Sequence, residues 1–117
     1  MNRYLFVIDY QNDFVDGALG FPGAEKLDEK IAAKVRAYGE GKVLFTRDTH
    51  FENYLDTREG RNLPVVHCIK GTPGWEVYGE TAKALVFLEK DNFVSSLLRY
   101  ALDAVYRSCC ERLFCCY

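Results

Sequence analysis

The chain has 117 residues, enough to enclose one hydrophobic core and too few for two. Apolar residues make up 49% and charged residues 27%, a balance that excludes a disordered polymer. A formal charge of -2 without a long basic run gives no attraction for nucleic acid or an anionic membrane, so neither is expected as a partner.

The N-terminus runs from Asn2 and Arg3 into the apolar stretch Tyr4-Leu5-Phe6-Val7-Ile8, which stops at Asp9. That run is too short for a secretory signal or a membrane span, and a cytoplasmic location is the expectation. Being β-branched and aromatic, it predicts a central strand buried on both faces. Gln11 to Gly23, with Asp16-Gly17 and Pro22-Gly23, has the turn chemistry of a loop. From Ala24 to Tyr38, Leu27, Ile31, Val35 and Tyr38 recur at helical spacing, and Gly39 and Gly41 end the pattern. Lys42 to Thr46 predicts a second buried strand. Arg47 to Trp75 shows little periodicity, and a loop that long in a small domain is usually functional. Ala84 to Leu88 reads as a third strand, and Asn92 caps an amphipathic helix running to Val105.

Strand, helix, strand, long loop, strand, helix is the rhythm of an α/β fold with an open parallel sheet. The expected domain covers residues 1–106. Residues 107–117 form an atypical tail, in which four of the five cysteines crowd into the last nine positions. An odd cysteine count, so clustered, is not a disulfide framework.

Open α/β sheets bind ligands beyond the carboxyl ends of their strands, and three polar clusters fall there. Asp9 follows the first strand. A carboxylate at the end of a buried strand is well placed to be a general base, and the alternative is a turn cap. Asp48-Thr49-His50 follows the second strand, with His67 further along the loop. A carboxylate and two imidazoles form a common set for a catalytic divalent metal, zinc before manganese or iron; the alternative is that both histidines satisfy loop backbone groups. Asp48 and His50 are two apart, so an extended segment points them the same way. Lys90 follows the third predicted strand. It would lower a thiol pKa or keep Asp9 ionised, unless it is a solvated surface lysine.

Four segments occur in order: Asp9-Tyr10-Gln11-Asn12-Asp13-Phe14; Thr46-Arg47-Asp48-Thr49-His50; His67-Cys68-Ile69-Lys70-Gly71-Thr72-Pro73-Gly74; and Lys90-Asp91-Asn92-Phe93. Together they resemble the isochorismatase-like cysteine hydrolases, the family that includes nicotinamidases. The resemblance spans about residues 4 to 105. It implies a doubly wound, three-layer α/β/α fold with helices on both faces of the sheet, and hydrolysis of a small amide or, in isochorismatases, a vinyl ether. It also implies that Asp9 is the base that takes the proton of a cysteine nucleophile and that Lys90 completes the triad. Asp48, His50 and His67 would hold a metal ion that helps bind the substrate, and Phe14 and Trp75 would wall the pocket. No organic cofactor is implied. Asn53 lies near where nicotinamidases often carry a further histidine, which counts against nicotinamide as the substrate.

The family's nucleophile lies in a Gly-x-x-Thr-Asp-x-Cys-Val turn after a buried strand, and this sequence has no such turn. Cys109 and Cys110 come too soon after Lys90, Cys115 and Cys116 lack the Thr-Asp context, and Cys68 is expected to be a buried spectator. Three accounts of the tail stand: an out-of-frame or truncated end, which we favour, a metal site of unusual spacing, or a natural terminus of a non-catalytic homologue. The sheet is therefore expected to be incomplete at its C-terminal side. An exposed sheet edge would favour a homo-oligomer. The function expected of this chain is that of an impaired cysteine hydrolase, or else of a non-catalytic metal-binding or interaction fragment.

Overall fold

The computed structural model describes residues 3–39 and 41–89. Strand β1 (Leu5–Val7) pairs in parallel with β2 (Val43–Phe45), in the register Leu5 to Val43, Phe6 to Leu44 and Val7 to Phe45. The predicted strands at 4–8 and 42–46 are present, each shortened by one residue at either end. Backbone pairing outlasts them: Thr46 N–H donates to the Val7 carbonyl at 3.0 Å, and Asp9 N–H to the Thr46 carbonyl at 3.3 Å.

The crossover between them contains α1 (Asn12–Val15), a single 3-10 turn (Ala24–Leu27) and α2 (Asp28–Tyr38). The helix predicted over 24–38 thus opens with a tighter turn. Gly39, at φ 71, ends α2 in a conformation that only glycine adopts without strain, and its N–H returns to the Val35 carbonyl at 3.2 Å. Ala32 and Val35 of α2 pack on Val7 and Ala84, with Leu5, Ile31, Val43 and Phe45 around them.

Two expectations are corrected. Ala84 to Leu88 is not a strand: it lies within α4 (Gly79–Glu89). A five-residue apolar run has no periodicity of its own to separate strand from helix. The helix is started from a distance by Asp28, whose carboxylate accepts from Glu80 N–H at 2.7 Å, Thr81 N–H at 2.9 Å and the Thr81 hydroxyl at 2.8 Å. These bonds satisfy donors that the first turn of a helix leaves free. A side chain at Gly79, itself at φ 49, would collide with that carboxylate.

The second correction concerns β1, which is not buried on both faces among the described residues. Successive strand residues point to opposite sides. Val7 faces α2, while Phe6 and Ile8 on the other side remain 60% and 70% exposed.

The long segment after β2 holds α3 (Arg58–Asn62), capped by Thr57, whose hydroxyl oxygen accepts from Gly60 N–H at 3.0 Å. Single 3-10 turns at Tyr54–Asp56 and Pro73–Trp75 flank it. The parallel sheet with its helices has the expected α/β class. The predicted helix at 92–105, Lys90 and the tail lie outside the described residues. No helix among the described residues is long and apolar enough to cross a membrane.

Candidate metal and catalytic site

Beyond the end of β2 the chain stays extended, and at His50 it makes one more parallel bridge, to Ile69. His50 N–H donates to the Cys68 carbonyl and Lys70 N–H to the His50 carbonyl, both at 2.9 Å. This bridge brings His67 back to the sheet mouth beside Asp48 and His50. The ligand atoms of the three side chains lie within 4.8 Å of one another. Nε2 of His50 is 3.0 Å and Nε2 of His67 is 3.3 Å from the same oxygen, Asp48 Oδ2. Two ligands on a tetrahedral zinc with bonds of about 2.0–2.2 Å stand roughly 3.4 Å apart, so the spacing suits such an ion.

The chemistry of the donors agrees with the distances. His67 Nδ1 lies 2.7 Å from the Val65 carbonyl oxygen, which can only accept. In the neutral ring the proton therefore sits on Nδ1, and Nε2 turns its lone pair toward Asp48. Two acceptors facing each other at 3.3 Å suit a shared metal ion. A histidine fixed through its second nitrogen is the usual arrangement of a metal ligand.

Tyr54, only 1% exposed, stands edge-on to both rings, with centroids 4.6 Å from His50 and 5.1 Å from His67. Its hydroxyl donates to the Leu63 carbonyl at 2.8 Å. Burial works to lower the His50 pKa, but the hydrogen bond to Asp48 and the charges of Asp48 and Glu59 outweigh it, and the net shift is upward. Glu59 of α3 brings Oε1 to 3.8 Å from His50 Nε2. Neither Tyr54 nor Glu59 stood out in the sequence, because an aromatic and a helical acid in an aperiodic stretch carry no local signal.

Asp9 lies at the end of β1 with φ 49, in the left-handed region that few residues other than glycine occupy. The Thr46 hydroxyl donates to its Oδ1 at 2.7 Å. Burial raises the Asp9 pKa, the Thr46 bond lowers it, the charge of Asp48 raises it and a backbone bond from Asp48 lowers it; the net shift is upward. A carboxylate so poised takes up a proton more readily than a solvated one.

Phe14 and Trp75 lie beside residues of this cluster. The ring of Phe14 meets His67 edge-on at 5.6 Å. Trp75 donates its indole N–H to Thr49 Oγ1 at 2.8 Å, and one face of its ring is covered by the Arg47 guanidinium at 3.8 Å. Arg47 also pairs with Glu76 at 3.2 Å. Cys68 is fully buried, and burial together with the charges of Asp48, Asp13 and Asp9 pushes its thiol pKa up to about 12. A thiol held protonated is a poor nucleophile, in keeping with its expected role as a spectator.

A profile of the isochorismatase domain matches residues 3–109. No curated protein matches the chain. Among solved structures, the nicotinamidase/pyrazinamidase of Bacillus subtilis is 34% identical with a TM-score of 0.67, over 80% of this chain and 52% of that one. The pyrazinamidase/nicotinamidase of Streptococcus mutans is 35% identical with a TM-score of 0.65, over 77% and 52%. The pyrazinamidase of Pyrococcus horikoshii, solved in complex with zinc, is 35% identical with a TM-score of 0.55, over 66% and 45%. The chain thus spans about half the length of these relatives.

Proposed function

This chain belongs to the isochorismatase domain family, and from that membership we propose that it carries the base and metal half of a cysteine hydrolase acting on a small amide-like substrate. The observation that carries the reading is the meeting of His50 Nε2 and His67 Nε2 on one oxygen of Asp48, at 3.0 and 3.3 Å, near a half-buried Asp9. A divalent ion, zinc first, would be held by Asp48, His50 and His67, and it would supply positive charge to bind an electron-rich atom of the substrate. Asp9 would accept the proton of a cysteine thiol, leaving the thiolate to attack the amide carbonyl carbon. The proton then passes to the leaving amine, and water releases the acid. Lys90 would keep Asp9 ionised between these transfers, and Phe14 and Trp75 would flank the substrate.

No cysteine of this sequence is assigned as that thiol. Cys68 is buried, which pushes its thiol pKa up to about 12, and the remaining cysteines lack the family's Thr-Asp context. The 117 residues by themselves are therefore expected to turn over little or no amide. These same facts support the second reading, a non-catalytic metal-binding fragment of the same fold. A panel of small aromatic and aliphatic amides, assayed with zinc present, separates the two. Turnover that survives Asp9→Asn would remove Asp9 as the base. Turnover lost in Cys115→Ser would overturn the dismissal of the tail.

A further inference from the structure

The start of α1 carries two polar side chains, Gln11 and Asp13, that reach groups far along the chain, although Asp13 Oδ1 also accepts from the nearby Ala18 N–H at 3.4 Å. Gln11 is fully buried, and all of its amide's hydrogen-bonding atoms are engaged. Its Oε1 accepts from Asp48 N–H at 2.7 Å, while Nε2 donates to the Asp48 carbonyl at 2.9 Å and to the Trp75 carbonyl at 2.7 Å. It therefore grips the peptide groups on both sides of the Asp48 Cα, as a neighbouring strand would. Two residues on, Asp13 Oδ2 accepts from Cys68 N–H at 2.7 Å. Cys68 sits at φ 47, a left-handed conformation that a residue with a side chain keeps only where its surroundings hold it. A side chain at Gly74 would strike the same Asp13 carboxylate, so the loop comes close because that position is glycine.

We propose that Gln11 and Asp13 are the positioning residues of the metal centre, Gln11 setting the Asp48 arm and Asp13 setting the His67 arm. Asp48 and His67 come from loops with no regular structure of their own at those residues. Each is tied instead to a polar side chain of one short segment, the buried Gln11 or the partly buried Asp13, so the two ligands share a common reference frame. Gln11 bonds the peptide groups of Asp48 directly, and its bond to the Trp75 carbonyl fixes the pocket wall in the same frame. Ligands held at bonding distance before the ion arrives lose less freedom on binding it.

The inference rests on the metal reading above, and the test keeps the two apart. Zinc affinity by calorimetry and the visible spectrum of the cobalt(II) form are compared for the parent, Gln11→Glu and Gln11→Met, each below its melting temperature. Glutamate keeps the acceptor for Asp48 N–H but cannot donate to two carbonyls; methionine loses all three bonds. Both variants are expected to bind zinc about 10–100-fold more weakly, as loss of an outer partner does, and to show a shifted cobalt spectrum. Parent affinity and spectrum in a folded variant would overturn the proposal, whatever its melting temperature. Should both variants fail to fold, amide exchange in the metal-free parent decides. The Asp48 and Cys68 N–H groups must already be protected without zinc, and protection that appears only with zinc would overturn the proposal. A parent that binds no zinc would refute the metal reading instead.

Discussion

Around Val7, Ala32, Val35 and Ala84 the chain packs carbon against carbon. A few residues further along the same strands, at Asp9 and Asp48, polar side chains grip backbone groups from distant loops. The first region follows from apolar runs and helical spacing, and it tolerates hydrophobic exchanges of similar volume. The second depends on particular atoms: a lost methyl group matters little there, while a lost donor leaves a buried carbonyl unpaired. Stability should therefore answer mainly to the first region and metal affinity mainly to the second.

The contrast meets its hardest test at Asp28, a polar group inside the structural half. Asp28→Ala would leave the N–H groups of Glu80 and Thr81 without partners and the Thr81 hydroxyl with only the residue-28 backbone carbonyl, at 3.2 Å. A loss of about 3 kcal/mol by urea unfolding is expected, with zinc affinity of the folded protein unchanged. A drop in affinity as large as the drop in stability would dissolve the distinction between the regions. Val35→Ala, at a fully buried position, should cost about 2 kcal/mol for the lost methyl groups and the cavity, again without altering zinc binding.

Trp75→Phe probes the other side and should have the smallest effect. It removes the indole bond to Thr49 Oγ1, for about 1 kcal/mol, and weakens the stacking of Arg47. A small stability change is expected, with the cobalt spectrum of the site retained.

The same division explains what was readable from the residues alone. Both strands and α2 announced themselves through Leu5 and Val7, Val43 and Phe45, and the spacing of Ile31 and Val35. The carboxylate and imidazoles were also visible, because Asp48 and His50 are close in sequence and only two histidines exist. The misread strand at 84–88 shows the limit, since α4 takes its start from Asp28, 52 and 53 positions earlier. Gln11 was visible as part of a motif but not as a clamp, because its partners stand 37 and 64 positions away. Asp13 reaches 55 positions to Cys68, and a left-handed conformation there has no sign in a cysteine side chain. The exposed Phe6 and Ile8 were hidden for a related reason: an apolar run states that a strand can be covered on both sides, not that it is.

The central claim is that Asp48, His50 and His67 form one metal centre, and zinc calorimetry on the parent and His50→Ala tests it most directly. One ion per parent chain is expected, and binding to His50→Ala weaker by more than the roughly 10–100-fold cost of an outer partner. The pH dependence has an expected direction too. Zinc needs neutral imidazoles, and the Asp48 and Glu59 charges raise the His50 pKa above its ordinary value despite its burial. Protons therefore compete sooner than at a free histidine, and parent affinity should fall as the pH drops through a point above about 6.5. Equal affinity for parent and His50→Ala, or parent binding that does not change across that range, would contradict the account.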